Sequence, residues 1–76
     1  MQVILLGTSD CHLCEDAIAL LIEMGIMHQF VDIMDNSDDF SQYQYIIPVL
    51  KVSDKTMSWP FNRESIQHFF KEIEKN

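Results

Sequence analysis

Cys11-His12-Leu13-Cys14 holds the only two cysteines of this chain, and two thiols three positions apart can exchange with a disulfide or help to hold a metal. The pair follows the polar Thr8-Ser9-Asp10, where an apolar run over residues 2–7 gives way to an amphipathic stretch. A strand-to-helix junction there sets Cys11 at or just before the first helical turn, with its sulfur toward solvent. Cys14 follows one turn later and closer to the core. Residues i and i+3 share a helix face, so the two sulfurs can come within bonding reach. Unpaired N–H groups at a helix N-terminus favour a thiolate, the form of cysteine that attacks a disulfide.

The neighbouring charges pull in two directions. The helix N-terminus and a protonated His12 would favour the Cys11 thiolate, whereas Asp10, Glu15 and Asp16 disfavour it. No Lys or Arg stands between Met1 and Lys51 to offset these acids. Asp10, Glu15 and Asp16 also suit a first helical turn in their own right. His12 reads as a surface histidine at a loop–helix junction and is kept as a candidate contact to substrate.

The rest of the chain supplies a frame for the pair. Residues 2–7 read as a buried central strand with apolar side chains on both faces. A helix runs on to Met24, with Cys14, Ala17, Ile18 and Leu21 as its inner stripe and Glu15, Asp16 and Glu23 on the wet side; Gly25 stops it. Residues 27–33 suit a second strand, so the first two strands should be parallel with a right-handed crossover. A short helix fits residues 36–44, capped by Asn36 or Ser37, with Phe40 and Tyr43 inward. Residues 49–53 and 56–59 form a hairpin around Asp54-Lys55. In the last helix Asn62 is the N-cap, Phe61 and Ile66 form a hydrophobic staple, and Ile66, Phe69, Phe70 and Ile73 make the buried stripe. The order is β-α-β-α-β-β-α, an α/β fold in a single domain over residues 1–76.

That order, with Cys-x-x-Cys after the first strand and a proline before the third, resembles the thioredoxin fold in its glutaredoxin-sized form. More narrowly, Cys11-His12-Leu13-Cys14, Tyr43, Ile47-Pro48-Val49-Leu50 and Trp59-Pro60-Phe61 are similar to the glutaredoxin-like family of small bacterial proteins. The resemblance covers essentially the whole chain. It implies a four-stranded mixed sheet in order 2-1-3-4, with helices on both faces and strands three and four antiparallel to the first pair. It also implies a cis Ile47–Pro48 bond packed beside the cysteines, with the backbone of Ile47 pairing with substrate. Without it, Pro48 would read as a strand-start proline. Trp59 reads as core or edge packing, or, if exposed near the cysteines, as a partner contact.

The implied activity is thiol–disulfide exchange in cell redox homeostasis, with Cys11 the nucleophile and Cys14 the resolving thiol. The substrate-side residues are His12, Ile47, Pro48 and Trp59. Glutaredoxins usually carry a basic residue before the motif, an aromatic inside it, and a Gly-Gly and acidic pair at the last helix that hold glutathione. Thr8-Ser9-Asp10, His12-Leu13 and Trp59-Pro60-Phe61-Asn62-Arg63 occupy those places. Glutathione therefore stands as a candidate reductant whose usual binding residues are not evident, and no resident cofactor or metal is expected. The acidic surroundings predict a less acidic Cys11, and a more reducing couple, than in the strongly oxidising relatives.

Twelve Asp and Glu against five Lys and Arg give a formal net charge of −7, which argues against nucleic acid and anionic membrane partners. A hydrophobic fraction of 47% is enough for one small core and argues against disorder. With no basic n-region and only a short apolar run after Met1, a reducing cytoplasm is the expected compartment. The expected partners are a disulfide-containing protein or a small thiol substrate, met by a monomer. Two other readings remain open: a non-catalytic binding module, and zinc or an iron–sulfur cluster held by cysteines shared between chains.

Overall fold

Val3, Ile4, Leu5 and Leu6 alternate across one strand, and both of its faces are covered. The computed structural model describes residues 2–74. It runs β1 (Val3–Gly7), α1 (His12–Glu23), β2 (Gln29–Asp32), a 3-10 turn (Ile33–Asp35), α2 (Ser37–Tyr43), β3 (Val49–Val52), β4 (Lys55–Ser58) and α3 (Arg63–Glu74). The sheet has the order β2-β1-β3-β4. β1 and β2 are parallel, β3 is antiparallel to β1, and β4 is antiparallel to β3. Only β3 therefore opposes the first pair. β4 runs in their direction, because the hairpin reverses the chain a second time, and this corrects the expected orientation of the fourth strand.

Period-2 alternation divides the core into two layers. On one face Val3, Leu5, Leu50 and Val52 pack with Ala17 and Leu21 of α1 and with Phe61 and Ile66 at the start of α3. On the other, Leu6 and Val49 pack with Ile33 and Tyr43. Helices thus cover both faces, as a sheet with apolar residues on both sides requires. Tyr43 is buried as expected, but Phe40 is 38% exposed. α2 is only seven residues long, with Tyr43 its one buried residue, and Ile33 of the preceding turn joins Tyr43 in this layer.

The helix ends are fixed by local hydrogen bonds. α1 begins at His12 because Cys11 is itself the N-cap, at the start of the first turn where the sequence sets it. Cys11 is extended (φ −99°, ψ 109°), and its Sγ accepts the Cys14 N–H at 3.0 Å. At the other end Gly25 has φ +71°, its N–H donates to the Ile22 carbonyl at 3.0 Å, and the Ile26 N–H donates to the Leu21 carbonyl at 2.9 Å. This is the double closure of a Schellman motif, and a left-handed residue there favours glycine. At α3 the Asn62 side chain accepts the Ser65 N–H at 2.9 Å while Ser65 Oγ accepts the Asn62 N–H at 2.8 Å. Phe61 and Ile66 meet in the core beside that reciprocal cap, as the staple predicts.

The hairpin turns one residue earlier than expected, at Ser53-Asp54, with Val52 opposite Lys55 and Ser53 at φ +57°. In the observed register Met57 sits opposite Leu50 and packs on the face that holds Val52. Among the described residues, no helix is long and apolar enough to cross a membrane.

Candidate redox site

Cys11 and Cys14 are joined as a disulfide, with their Cα atoms 5.1 Å apart. The two ends differ in access. Cys11 is partly exposed at the N-cap, whereas Cys14 is 1% exposed. The amphipathic pattern of α1 produces this difference, since Cys14 leads the inner stripe that continues through Ala17 and Leu21. The cap bond to Cys11 Sγ and the helix N-terminus beside it would both favour negative charge on that sulfur.

One row across the sheet positions the pair. β2 pairs Asp32 with Gly7. Carried one step beyond Leu6↔Val49, the β1–β3 register sets Pro48 opposite Gly7. The Trp59 N–H donates to the Pro48 carbonyl at 3.0 Å, which extends the β3–β4 ladder by one position. Asp32, Gly7, Pro48 and Trp59 therefore lie side by side at the edge where β1 ends. Cys14 packs on Gly7 so closely that a Cβ there would lie 2.8 Å from Cys14 Sγ and 3.2 Å from Cys14 Cβ.

The other expected residues are placed as follows. The Ile47–Pro48 bond is cis, as is Trp59–Pro60. Pro48 is buried, and the partly buried Ile47 packs its side chain toward Leu6, Tyr43 and Val49. Trp59 packs against the α1–α3 core, with its ring edge-on to Phe61 at a centroid distance of 5.0 Å. The His12 side chain is 85% exposed and lies 3.8 Å from both Glu15 and Asp16, contacts too exposed to hold it firmly.

Comparison with known proteins agrees with this arrangement. The family model of the glutaredoxin-like domain (DUF836) matches residues 2–71. The chain belongs to that family. Its fold is similar to the crystal structure of protein XcR50 from X. campestris, a structural-genomics target, at 28% identity and a TM-score of 0.81, covering 92% of this chain and 96% of that one. The solution structure of XcR50 gives 27% identity, a TM-score of 0.81 and 95% coverage of each chain. Thioredoxin 1 from Thermosipho africanus TCF52B is similar in fold alone, at 15% identity and a TM-score of 0.60 over the whole of both chains. Among curated proteins none matches significantly.

Within this glutaredoxin-like frame, Gly7 is the site residue that motif reading overlooks. A glycine closing a buried strand just ahead of a Cys-x-x-Cys was the available signal, since a strand glycine often marks close approach of another group. Any side chain at this position would occupy the space of the Cys14 sulfur. Asp32 carries no such signal, because its place beside Gly7 depends on the strand register. Its carboxylate accepts the Met34 N–H at 2.9 Å and so caps the turn that follows β2.

Proposed function

We propose that this glutaredoxin-like chain is a thiol–disulfide oxidoreductase that works through the Cys11–Cys14 dithiol. The unequal access of the two sulfurs carries the reading: one partly exposed at a helix cap, one buried a turn later. In the reduced protein the Cys11 thiolate attacks one sulfur of a substrate disulfide, and the other sulfur leaves as a thiolate that takes up a proton. Cys14, deprotonated in turn, attacks Cys11 Sγ, releases the second substrate thiol and closes the intramolecular disulfide. Two electrons and two protons pass to the substrate, and a dithiol or glutathione must return them before the next turn. Pro48 and the Ile47 backbone offer the edge along which a substrate strand would lie, with Trp59 and His12 at its margins. The cytoplasm suits such a reductase, since reduced clients accumulate there.

Single-turnover reduction of hydroxyethyl disulfide by the pre-reduced protein tests this. Cys11→Ser should abolish the reaction, and Cys14→Ser should stop it at a mixed disulfide on Cys11, seen as an added half-substrate mass. Full activity in Cys11→Ser would overturn the reading.

A further inference from the structure

The unbalanced charge of this molecule lies at one end. Asp10, Glu15 and Asp16 flank the dithiol in sequence. Asp32 stands in the sheet row beside Gly7, and Asp35, Asp38 and Asp39 follow in the segment that leaves β2 at that edge and returns to it at Pro48. The other five acidic residues equal in number the five Lys and Arg of the chain, so these seven account for the formal charge of −7.

The described cations lie toward the opposite end. Lys51 pairs with Ile4 and Lys55 begins β4 across from Val52, both away from the end of β1. Arg63 reaches Glu23, at the last turn of α1, with a 3.0 Å contact. That turn is about 18 Å of helix away from Cys11 at 1.5 Å per residue. Lys71 lines a surface hollow with Met24 and Ile26, just beyond the same helix end.

A second observation falls at the same end. Leu13 lies inside the motif, Met34 follows Asp32, and Tyr45 and Ile46 immediately precede Ile47-Pro48. All four are exposed, Tyr45 to 90%. The surface around the disulfide therefore combines apolar side chains with unbalanced negative charge. A partner that covers it must bury the former and neutralise the latter.

We propose that the substrate is a polypeptide disulfide flanked by basic and apolar residues, selected by this anionic, apolar surface. The inference rests on the oxidoreductase reading above and names the class of disulfide that it serves. Oxidised glutathione, which carries net negative charge, is the kind of substrate this surface repels. The chemical step is the exchange already written: the reduced dithiol supplies two electrons, and the peptide disulfide becomes two thiols. Selectivity arises in encounter and docking, because like charge slows approach and opposite charge speeds it.

Three synthetic peptides with one intramolecular disulfide test this. They are identical except that the residues flanking the cysteines are Lys and Leu, Ser and Leu, or Glu and Leu. Each is mixed with the pre-reduced protein, and single-turnover oxidation is followed at 20 mM and at 500 mM NaCl. The Lys peptide should react at least about tenfold faster than the Glu peptide at low salt, the lower end of the range for electrostatic steering. Screening at high salt should collapse most of the difference. The combined substitution Asp35→Asn, Asp38→Asn and Asp39→Asn should reduce the ratio severalfold, whereas Glu64→Gln, on α3, should leave it as it was. Equal rates for the three peptides at low salt, or a faster Glu peptide, would overturn this inference alone. A dimer in sedimentation that buries the same end would also overturn it, assigning the surface to a second copy of the chain. Failure to reduce any of the peptides would overturn both this inference and the oxidoreductase reading.

Discussion

Replacing Gly7 by alanine should make the Cys11–Cys14 couple more oxidising. The new Cβ would stand 2.8 Å from Cys14 Sγ, 3.1 Å from the Phe30 ring and 3.2 Å from Cys14 Cβ. Filling packed space in this way costs about 1–3 kcal/mol. Removing a glycine from the unfolded chain offsets about 0.4–1 kcal/mol of that, so the clash wins in the oxidised protein. In the dithiol, Cys14 is released from Cys11 and its sulfur can rotate away from the shortest contact. The reduced form then keeps only the milder encounters with Cys14 Cβ and Phe30. A difference of about 1 kcal/mol between the two forms corresponds to about 20 mV for a two-electron couple, toward less negative potential. Two independent assays should agree. Redox titration against dithiothreitol buffers reads the shift directly, and urea unfolding of oxidised and reduced Gly7→Ala gives the same difference through the thermodynamic cycle. An unchanged or more negative potential, with equal stability loss in both forms, would refute the reasoning.

Other substitutions probe the frame. Phe61→Ala removes a buried ring shared by the sheet, Ile66 and Trp59, and should cost about 3–5 kcal/mol in urea unfolding. Asn62→Ala breaks one half of the reciprocal cap on α3 and should cost about 0.5–2 kcal/mol, with Asn62→Asp retaining most of it. Arg63→Ala or Glu23→Ala should change stability by less than about 1 kcal/mol, since the pair is more than half exposed, and a double-mutant cycle should show a coupling that fades in salt.

The legible parts of this fold were those written in short-range chemistry. Asn62, Phe61 and Ile66 announced the start of α3, and Gly25 the end of α1, because caps and staples depend on residues a few positions apart. The unbroken apolar run of β1 announced a strand covered on both faces. The structure departs from local expectation where distant partners decide. The hairpin turns at Ser53-Asp54 and so sets Met57 opposite Leu50, a cross-strand pairing that the turn residues themselves do not specify. Phe40 stays 38% exposed on the short α2, while Ile33, in a turn rather than the expected strand, packs beside Tyr43. At the site, the cysteine pair and the cis Ile47–Pro48 bond followed from the motif and the family resemblance. The row Asp32–Gly7–Pro48–Trp59 did not, because it exists only once three strand pairings are in register.

The first turn of α1 shares an atom with the redox centre, since the sulfur that caps it is Cys11 Sγ. Turn formation and sulfur ionisation are therefore linked in the thermodynamic sense: the free energy by which the capped turn favours the thiolate equals that by which the thiolate favours the turn. A thiolate accepts a hydrogen bond more strongly than a neutral sulfur, so ionisation of Cys11 should tighten the turn it caps. The amide proton of Cys14 becomes a reporter of that coupling, exchanging with solvent at a rate that tracks the charge and oxidation state of the neighbouring sulfur.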